Sequence, residues 1–375
     1  MKRFFVFGFI ASALVALGII GGMWLGKKDR VETLYTQTTS DKPTLTSSIS
    51  RGIEFLISHQ KQDGSFPLLI CDSTEPERCD EASSAPMTGG VLIALEGVKD
   101  SRLDQIHRRG TEYILHSMET TPDGKHATWN LFSPLDPRHS RIPGDIDVSS
   151  VLSGYLARRG IEYPHDIEGF RPFQNTIGLY HNWISTEWNL TEKNRHSFAG
   201  GSEKDFSRSE YFGVDCMVNA DVLWYLATRH IESEPLCTYI KDVIQQKDYP
   251  QCTFYYRSPY LFLASVARAH EAGAQCLADV MPRVKEDLIS TARNDGTWTE
   301  NFFGNIAATM ALVKTGYRGP VVDRSIEKII AAQQENGGWG NAVVFPDLYN
   351  PVFYGSQELV AASVIELLSA YQQQQ

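Results

Sequence analysis

The sequence predicts an all-α fold: six outer–inner helix pairs closed into a ring, behind an N-terminal membrane-spanning helix. Three observations predict it. Apolar residues recur at the helical period along most of the chain, with almost no two-residue alternation. The helices alternate between apolar on one face and apolar nearly all round. A polar turn ending in glycine and an aromatic ring also returns, as "QKQDGSF" (Gln60 to Phe66) and "QQENGGW" (Gln333 to Trp339).

The elements follow from the N-terminus. "FFVFGFIASALVALGIIGGMWL" (Phe4 to Leu25) carries no charge and is long enough to cross the hydrocarbon of a bilayer. Its length and its "GGMWLGKK" exit match an uncleaved anchor better than a cleaved signal peptide. Lys2 and Arg3 precede it and Lys27, Lys28 and Arg30 follow, so the charge flanks leave its orientation open. Residues 1–30 read as anchor, 31–44 as a polar tether and 45–375 as the ring domain.

Helices are expected at about 45–60, 85–98, 101–118, 146–159, 210–229, 236–246, 257–273, 275–292, 302–316, 321–334 and 356–372, with 160–209 unassigned. Segments 101–118 and 321–334 carry charge on one face, as an outer shell requires. Segments 85–98, 146–159, 302–316 and 356–372 are apolar on nearly every side and therefore buried. Four outer helices lead into a glycine–aromatic turn: Gly64 with Phe66, Gly124 with Trp129, Gly296 with Trp298 and Gly337 with Trp339. Glycine takes the tight turn after a helix, and the ring plugs the junction to the next one. Self-similar pairs of this kind stack into one continuous core.

Composition narrows the function. A formal charge of −10, a pI near 5.5 and the lack of any Lys/Arg-rich run exclude a nucleic-acid partner. All six cysteines follow the anchor. Cys71 and Cys79 bracket "CDSTEPERC", and Cys237 and Cys252 bracket a helix and turn; both spacings permit disulfides, which implies an oxidising, extracytoplasmic compartment. Cys216 and Cys276 lie in apolar helical runs and read as buried thiols. No zinc spacing, P-loop, dinucleotide fingerprint or G-x-S-x-G is present, and no cofactor is expected. His59, His107 and His116 fall on outer helices, where exposure is expected.

Two stretches carry candidate chemistry. In "RIPGDIDVSS" (Arg141 to Ser150), Asp145 and Asp147 begin an inner helix, either as dipole-favoured capping residues or as an acid pair. In "SEYFGVDCMVNADVLWYLATRH" (Ser209 to His230), Tyr211, Asp215 and Asn219 share one helix face and Asp221 turns to the opposite one. Both polar stripes could brace neighbouring helices; the other reading, adopted here, puts the Asp215 stripe on a central cavity. Aromatics at or near inner-helix starts are the remaining candidates to line it: Tyr211, Phe212, Trp224, Tyr255, Tyr256, Tyr260, Phe302, Phe303 and Tyr354, against the alternative of ordinary core packing.

The turns resemble the Q-x-x-x-G-x-W repeats of squalene–hopene cyclases and class II diterpene cyclases. That resemblance implies an (α/α)6 toroid, here of single-toroid, stand-alone length. "DIDVSS" is similar to the family's D-x-D-D-T, whose middle Asp protonates an alkene or epoxide; Asp145 and Asp147 match, Val148 replaces the last Asp and Ser149 the Thr. "VDCMVNADVL" resembles a V-D-x-x-V-N-A-N-V-L pattern of stand-alone relatives, with Asp221 in place of the second Asn. The resemblance implies Asp147 as proton donor, an isoprenoid or other apolar small-molecule substrate, and aromatics that stabilise carbocations. Toroids of this class also serve polysaccharide lyases and glycosidases, which use paired carboxylates, and a non-catalytic binding toroid is the third reading.

Overall fold

The computed structural model describes residues 44–121, 123–164, 167–189, 213–347 and 350–375. The expected anchor and nearly all of the tether lie outside the described residues, as do Tyr211 and Phe212. None of the described helices is long and apolar enough to cross a membrane.

Six inner helices form a closed ring. They are α2 (Ala85–Leu95), α4 (Ile146–Arg158), α5 (Cys216–Thr228), α7 (Pro259–Glu271), α9 (Phe302–Lys314) and α11 (Gln357–Gln373); each packs on the next, and α11 packs on α2. Outside them lie α1 (Leu45–His59), α3 (Leu103–His116), α6 (Glu234–Gln246), α8 (Met281–Thr291) and α10 (Pro320–Ala331), each burying one stripe. Among the described residues the third outer position holds a 3-10 helix (Ile167–Phe173) within irregular chain, which is where helical periodicity failed in the sequence.

The repeated turn is now explained. Gly64, Gly124, Gly296 and Gly337 all have positive φ, and a Cβ on Gly64 would stand 2.2 Å from Arg109 O. Phe66, Trp129, Trp298 and Trp339 are buried. Three of these rings do the same work: Trp129, Trp298 and Trp339 each donate Nε1–H to a carbonyl near the end of the preceding outer helix, that of Ile114, Leu288 or Ile329. The glutamines tie outer helices together. Gln60 donates to Gly64 O and Ile106 O, and Gln333 to Gly337 O and Ser48 O, both at 2.8–3.0 Å.

Three expectations need correction. Strands are more than incidental: β1 (Pro67–Asp72) and β2 (Cys79–Ser83) before α2 join β5 (Val343–Pro346) and β6 (Val352–Gly355) before α11 in one antiparallel sheet, order β2-β1-β6-β5. A further two-residue pair, β3 (Glu119–Thr120) with β4 (Ala127–Thr128), precedes α4. The β1–β6 pairing joins opposite ends of the ring domain, beyond the reach of local periodicity. Next, Cys71 does bond Cys79, across the hairpin, but Cys237 bonds Cys276 and Cys252 bonds Cys216, so the expected bridge between Cys237 and Cys252 and the two buried thiols are replaced by two longer-range links. Finally, His107 is buried, with Nδ1 3.2 Å from the Tyr155 hydroxyl.

The Cys216–Cys252 and Cys237–Cys276 bridges close loops of 36 and 39 residues. Removing either pair by double Ala substitution is expected to cost about 3–4 kcal/mol, chiefly through the freer unfolded chain. Urea denaturation at fixed pH reads this loss, and a cost below about 1 kcal/mol would speak against the pairing.

Candidate functional site

A common register at the inner-helix starts builds the site. Ser84, Asp145, Asp215, Asn301 and Ser356 are N-caps whose side chains accept first-turn amides. Four residues on, Thr88, Ser149, Asn219 and Asn305 bind the backbone of the segment leading in: Thr88 at Phe66 N, Ser149 at Trp129 N, Asn219 at Tyr180 N and O, Asn305 at Trp298 N. Asp215 and Asn219 therefore brace the fold. Asp215 accepts the amides of Met217 and Val218 and, at 3.1 Å, that of Tyr255. The expectation that their stripe faces the cavity is wrong, because the cap position turns toward the incoming chain.

The cavity is reached from other positions of the same register. Gly90, Val151, Asp221, Ala264 and Ala307, each six residues past the N-caps Ser84, Asp145, Asp215, Ser258 and Asn301, line one central chamber of about 190 Å³. Met87, Val148, Leu261 and Leu359, three past their caps, do so too, and Ala94, Arg268 and Glu366 lie ten past. The walls are mostly aliphatic; the polar exceptions are Asp147, Asp221, Tyr256, Ser265, Arg268, Ser363 and Glu366.

Asp147 sits where this chamber meets an outer vestibule of about 760 Å³. The two share Pro86, Met87, Asp147, Val148, Tyr256 and Phe345 as a collar. Asp147 is 5% exposed. Its Oδ2 accepts a short hydrogen bond from the Tyr256 hydroxyl, while its Oδ1 is buried with no amide or hydroxyl donor. The Asp221 carboxyl, 7% exposed, is its other hydrogen-bonding neighbour, and Asp221 Oδ1 accepts from Ser265 at 2.7 Å. Burial raises the Asp147 pKa, against the lowering effect of Tyr256 and Asp221. Burial and the nearby Asp147 push Asp221 well above the carboxylate range, and burial and Asp147 do the same to Asp145. Burial lifts Asp215 to about 7 despite its three amide bonds.

Tyr256 is held in place by its loop. The Cys216–Cys252 bridge fastens that loop to the first turn of α5, Tyr255 N–H binds Asp215, and Arg257 takes a left-handed conformation, φ 48°. Tyr255 itself lines the vestibule, edge-on to Trp183, which in turn meets Trp188. Tyr354 also lines the vestibule, stacked on Phe345 and donating to Asp347 at 2.9 Å. Phe303 lines the chamber.

The remaining candidates lie elsewhere. Trp224 is core, wedged against Gly154 between α4 and α5. Tyr260 directs its hydroxyl to Trp298 O at 3.4 Å, and Phe302 packs against the core from a partly buried position; none of the three lines either cavity. Sequence reasoning missed Met87, Trp183, Ser265, Arg268, Phe345 and Glu366. The cap register would have found Met87, Arg268 and Glu366; nothing local marks Phe345, which arrives on a strand. Among the described residues no cluster of three or more His, Cys, Asp or Glu is disposed to hold a metal ion.

A scan of protein-family models and a sequence search of curated proteins find no match. Solved structures do resemble the chain. The type II terpene cyclase MstE from Scytonema has TM-score 0.63 at 14% identity, over 88% of this chain and 98% of that one. A protein from Actinoplanes has TM-score 0.64 at 14% identity, covering 88% and 100%. The ent-copalyl diphosphate synthase from Streptomyces platensis matches 76% of this chain and 50% of its own, with TM-score 0.50 and 15% identity. Those likenesses, with the closed ring of inner helices, establish a class II terpene cyclase-like α/α fold.

Proposed function

We propose that the chain is a stand-alone, membrane-anchored cyclase of the class II type. On this reading Asp147 protonates the terminal alkene or epoxide of a prenyl chain held in the chamber, while a polar head group stays in the vestibule. The observation that carries it is Asp147 itself: a buried carboxyl whose pKa is raised by desolvation, at the collar of an aliphatic chamber. Proton transfer from Asp147 to the CH carbon of the terminal double bond leaves a tertiary carbocation on its dimethyl carbon, and the next double bond attacks that carbon to close a ring. Loss of a proton from the last cation completes an isomerisation. Tyr256, Phe303 and Phe345 present aromatic groups around that path, suited to stabilising positive charge, and the apolar walls keep water from quenching it.

A neighbour supports the substrate class. MstE has been solved with geranylgeranyl dihydroxybenzoate, its substrate, which joins a long apolar chain to a polar ring. The vestibule here offers Trp183, Trp188 and Tyr255 beside Arg141, Asn182 and Asn350 for such a head. The greasy chamber favours this over a saccharide, which would need a polar trough. The uncharged run Phe4 to Leu25 and the disulfides support a single-pass protein with its toroid outside the cytoplasm.

Solvent isotope tests the reading. Purified chain incubated in D2O with prenylated phenols that carry an unmodified terminal alkene should give cyclised isomers containing one solvent deuterium. Cyclised product without that deuterium, or saccharides as the ligands that co-purify with the chain, would overturn it.

A further inference from the structure

We infer that Asp147 and Asp221 work as one carboxyl pair, in which Asp221 is a positioning residue whose O–H donates to Asp147 Oδ1. This deepens the proposed function and rests on it only for the identity of the reaction; the pair itself stands on geometry. Asp147 Oδ2 is served by Tyr256, and Oδ1 is buried without an amide or hydroxyl donor. A buried carboxylate oxygen left in that state is costly. Asp221, from the neighbouring helix α5, is the hydrogen-bonding group that remains. Its own Oδ1 is taken by Ser265, which leaves Oδ2 to carry the proton.

The groups around the pair leave it that task. From α4 comes Asp145, and from the start of α5 Asp215, both acidic and both engaged as caps. The loop before α7 gives Tyr256. The floor holds Arg268 of α7, paired at 2.9 Å with Glu366 of α11. The chamber faces of α2 and α9 bring only apolar residues and glycine, such as Met87, Gly90, Phe303, Ile306 and Met310. No cation is close enough to serve Asp147 directly among the described residues, so a neutral donor must.

The proton balance is simple. When Asp147 gives its proton to substrate, the negative charge is left on a carboxylate that already receives two O–H donors, Tyr256 at Oδ2 and Asp221 at Oδ1. Asp221 keeps its proton throughout, and Asp147 regains one after the product cation is deprotonated. With Val148 at the position after Asp147, the partner carboxyl comes instead from another helix. The pair serves as an acid only while both members are protonated, and its two ionisations belong jointly to both.

The test needs no substrate. Infrared pH-difference spectra of the full chain in detergent, over the carboxyl stretching region, follow the buried acids in wild type, Asp221→Asn, Asp221→Leu and Asp147→Asn. Asn keeps a permanent donor of the same shape. The expected result for Asp221→Asn is loss of the pair's alkaline step, with Asp147 ionising within about half a unit of its wild-type first step. In Asp221→Leu the donor is gone, and Asp147 should hold its proton at least tenfold more tightly. Should Asp147 titrate identically in wild type, Asp221→Asn and Asp221→Leu, the pair does not exist. If Asp221→Leu does not fold, Asp147→Asn decides: without a charged neighbour Asp221 should ionise at least tenfold more readily than in the pair's alkaline step, and an unchanged step overturns the inference. Failure of the isotope experiment leaves these titrations unaffected, so the two ideas stand or fall separately.

Discussion

Asp147→Asn is expected to lower turnover of a prenyl substrate by about 10³-fold or more, with KM and the thermal midpoint close to wild type. A factor of 10³ corresponds to about 4 kcal/mol of barrier. Asparagine matches the carboxyl in shape, its oxygen can still accept from Tyr256, and its amide can face Asp221. The packing of the collar survives, but no proton acidic enough for a double bond remains. Since the residue stands between vestibule and chamber, substrate should still enter and bind. Steady-state kinetics with the substrate identified by deuterium incorporation would measure this. A loss of tenfold or less, with deuterium still incorporated, would move the acid to another carboxyl and Asp221 would be the first to test.

The second large effect is on stability, with a sign opposite to ordinary acid denaturation. A carboxyl whose folded pKa lies above its unfolded value binds its proton more tightly in the native state. The stability it confers is complete below about pH 4 and is lost as pH rises through the folded value. For Asp215 the interval runs from 3.8 to about 7, worth about 4 kcal/mol at 1.36 kcal/mol per unit. Asp145, Asp147 and Asp221 act in the same direction. Groups with depressed pKa values oppose them on the acid side, Asp136 and His107 being the most buried of these. Burial pushes Asp136 up, but Arg138 and the amides of Arg138 and Ser83 outweigh it and bring it to about 2, so its contribution is lost only as pH falls below 3.8. Burial depresses His107, which favours the folded state as pH rises toward 6.5. Urea midpoints taken from pH 5 to 8.5 at constant ionic strength should therefore decline overall. A flat or rising series would mean that these acids are not buried as described.

The fold was legible because its punctuation is local. A glutamine, a glycine at positive φ and a tryptophan reaching back to the last turn of a helix all fall within seven to fifteen residues, and so can be read from one sequence. The helices themselves were legible from their period. What escaped was whatever depends on distant partners. The Cys216–Cys252 bridge pairs the first residue of α5 with the last of a one-turn helix, Tyr249–Cys252, and spacing pointed to the wrong mate. The sheet joins Ile70 to Tyr354, a register no local pattern encodes.

The candidate site was half legible. Asp147 was a candidate from its motif and Tyr256 from its place near an inner-helix start, and the hydrogen bond between them is a long-range contact that no pattern announced. Asp215 and Asp221 exchanged roles, because a buried polar stripe looks alike whether it caps a helix or lines a cavity. Comparison within the chain would have separated them: Asp215 and Asn219 stand in the same places as Asp145 and Ser149, and as Asn301 and Asn305, all of which bind backbone. Asp221 has Val151 and Ala307 as its counterparts, and both of these face the chamber.

The ring is closed by its last stave. Helix α11, 17 residues at the C-terminal end of the described chain, packs against both α1 and α2. Until it arrives the nascent polypeptide has five inner helices with apolar flanks and no lumen to turn them toward. All six inner helices must therefore be in place before the chamber exists, and loss of α11 alone, which takes Glu366 but spares Asp147, Asp221 and Tyr256, would leave it open along one seam.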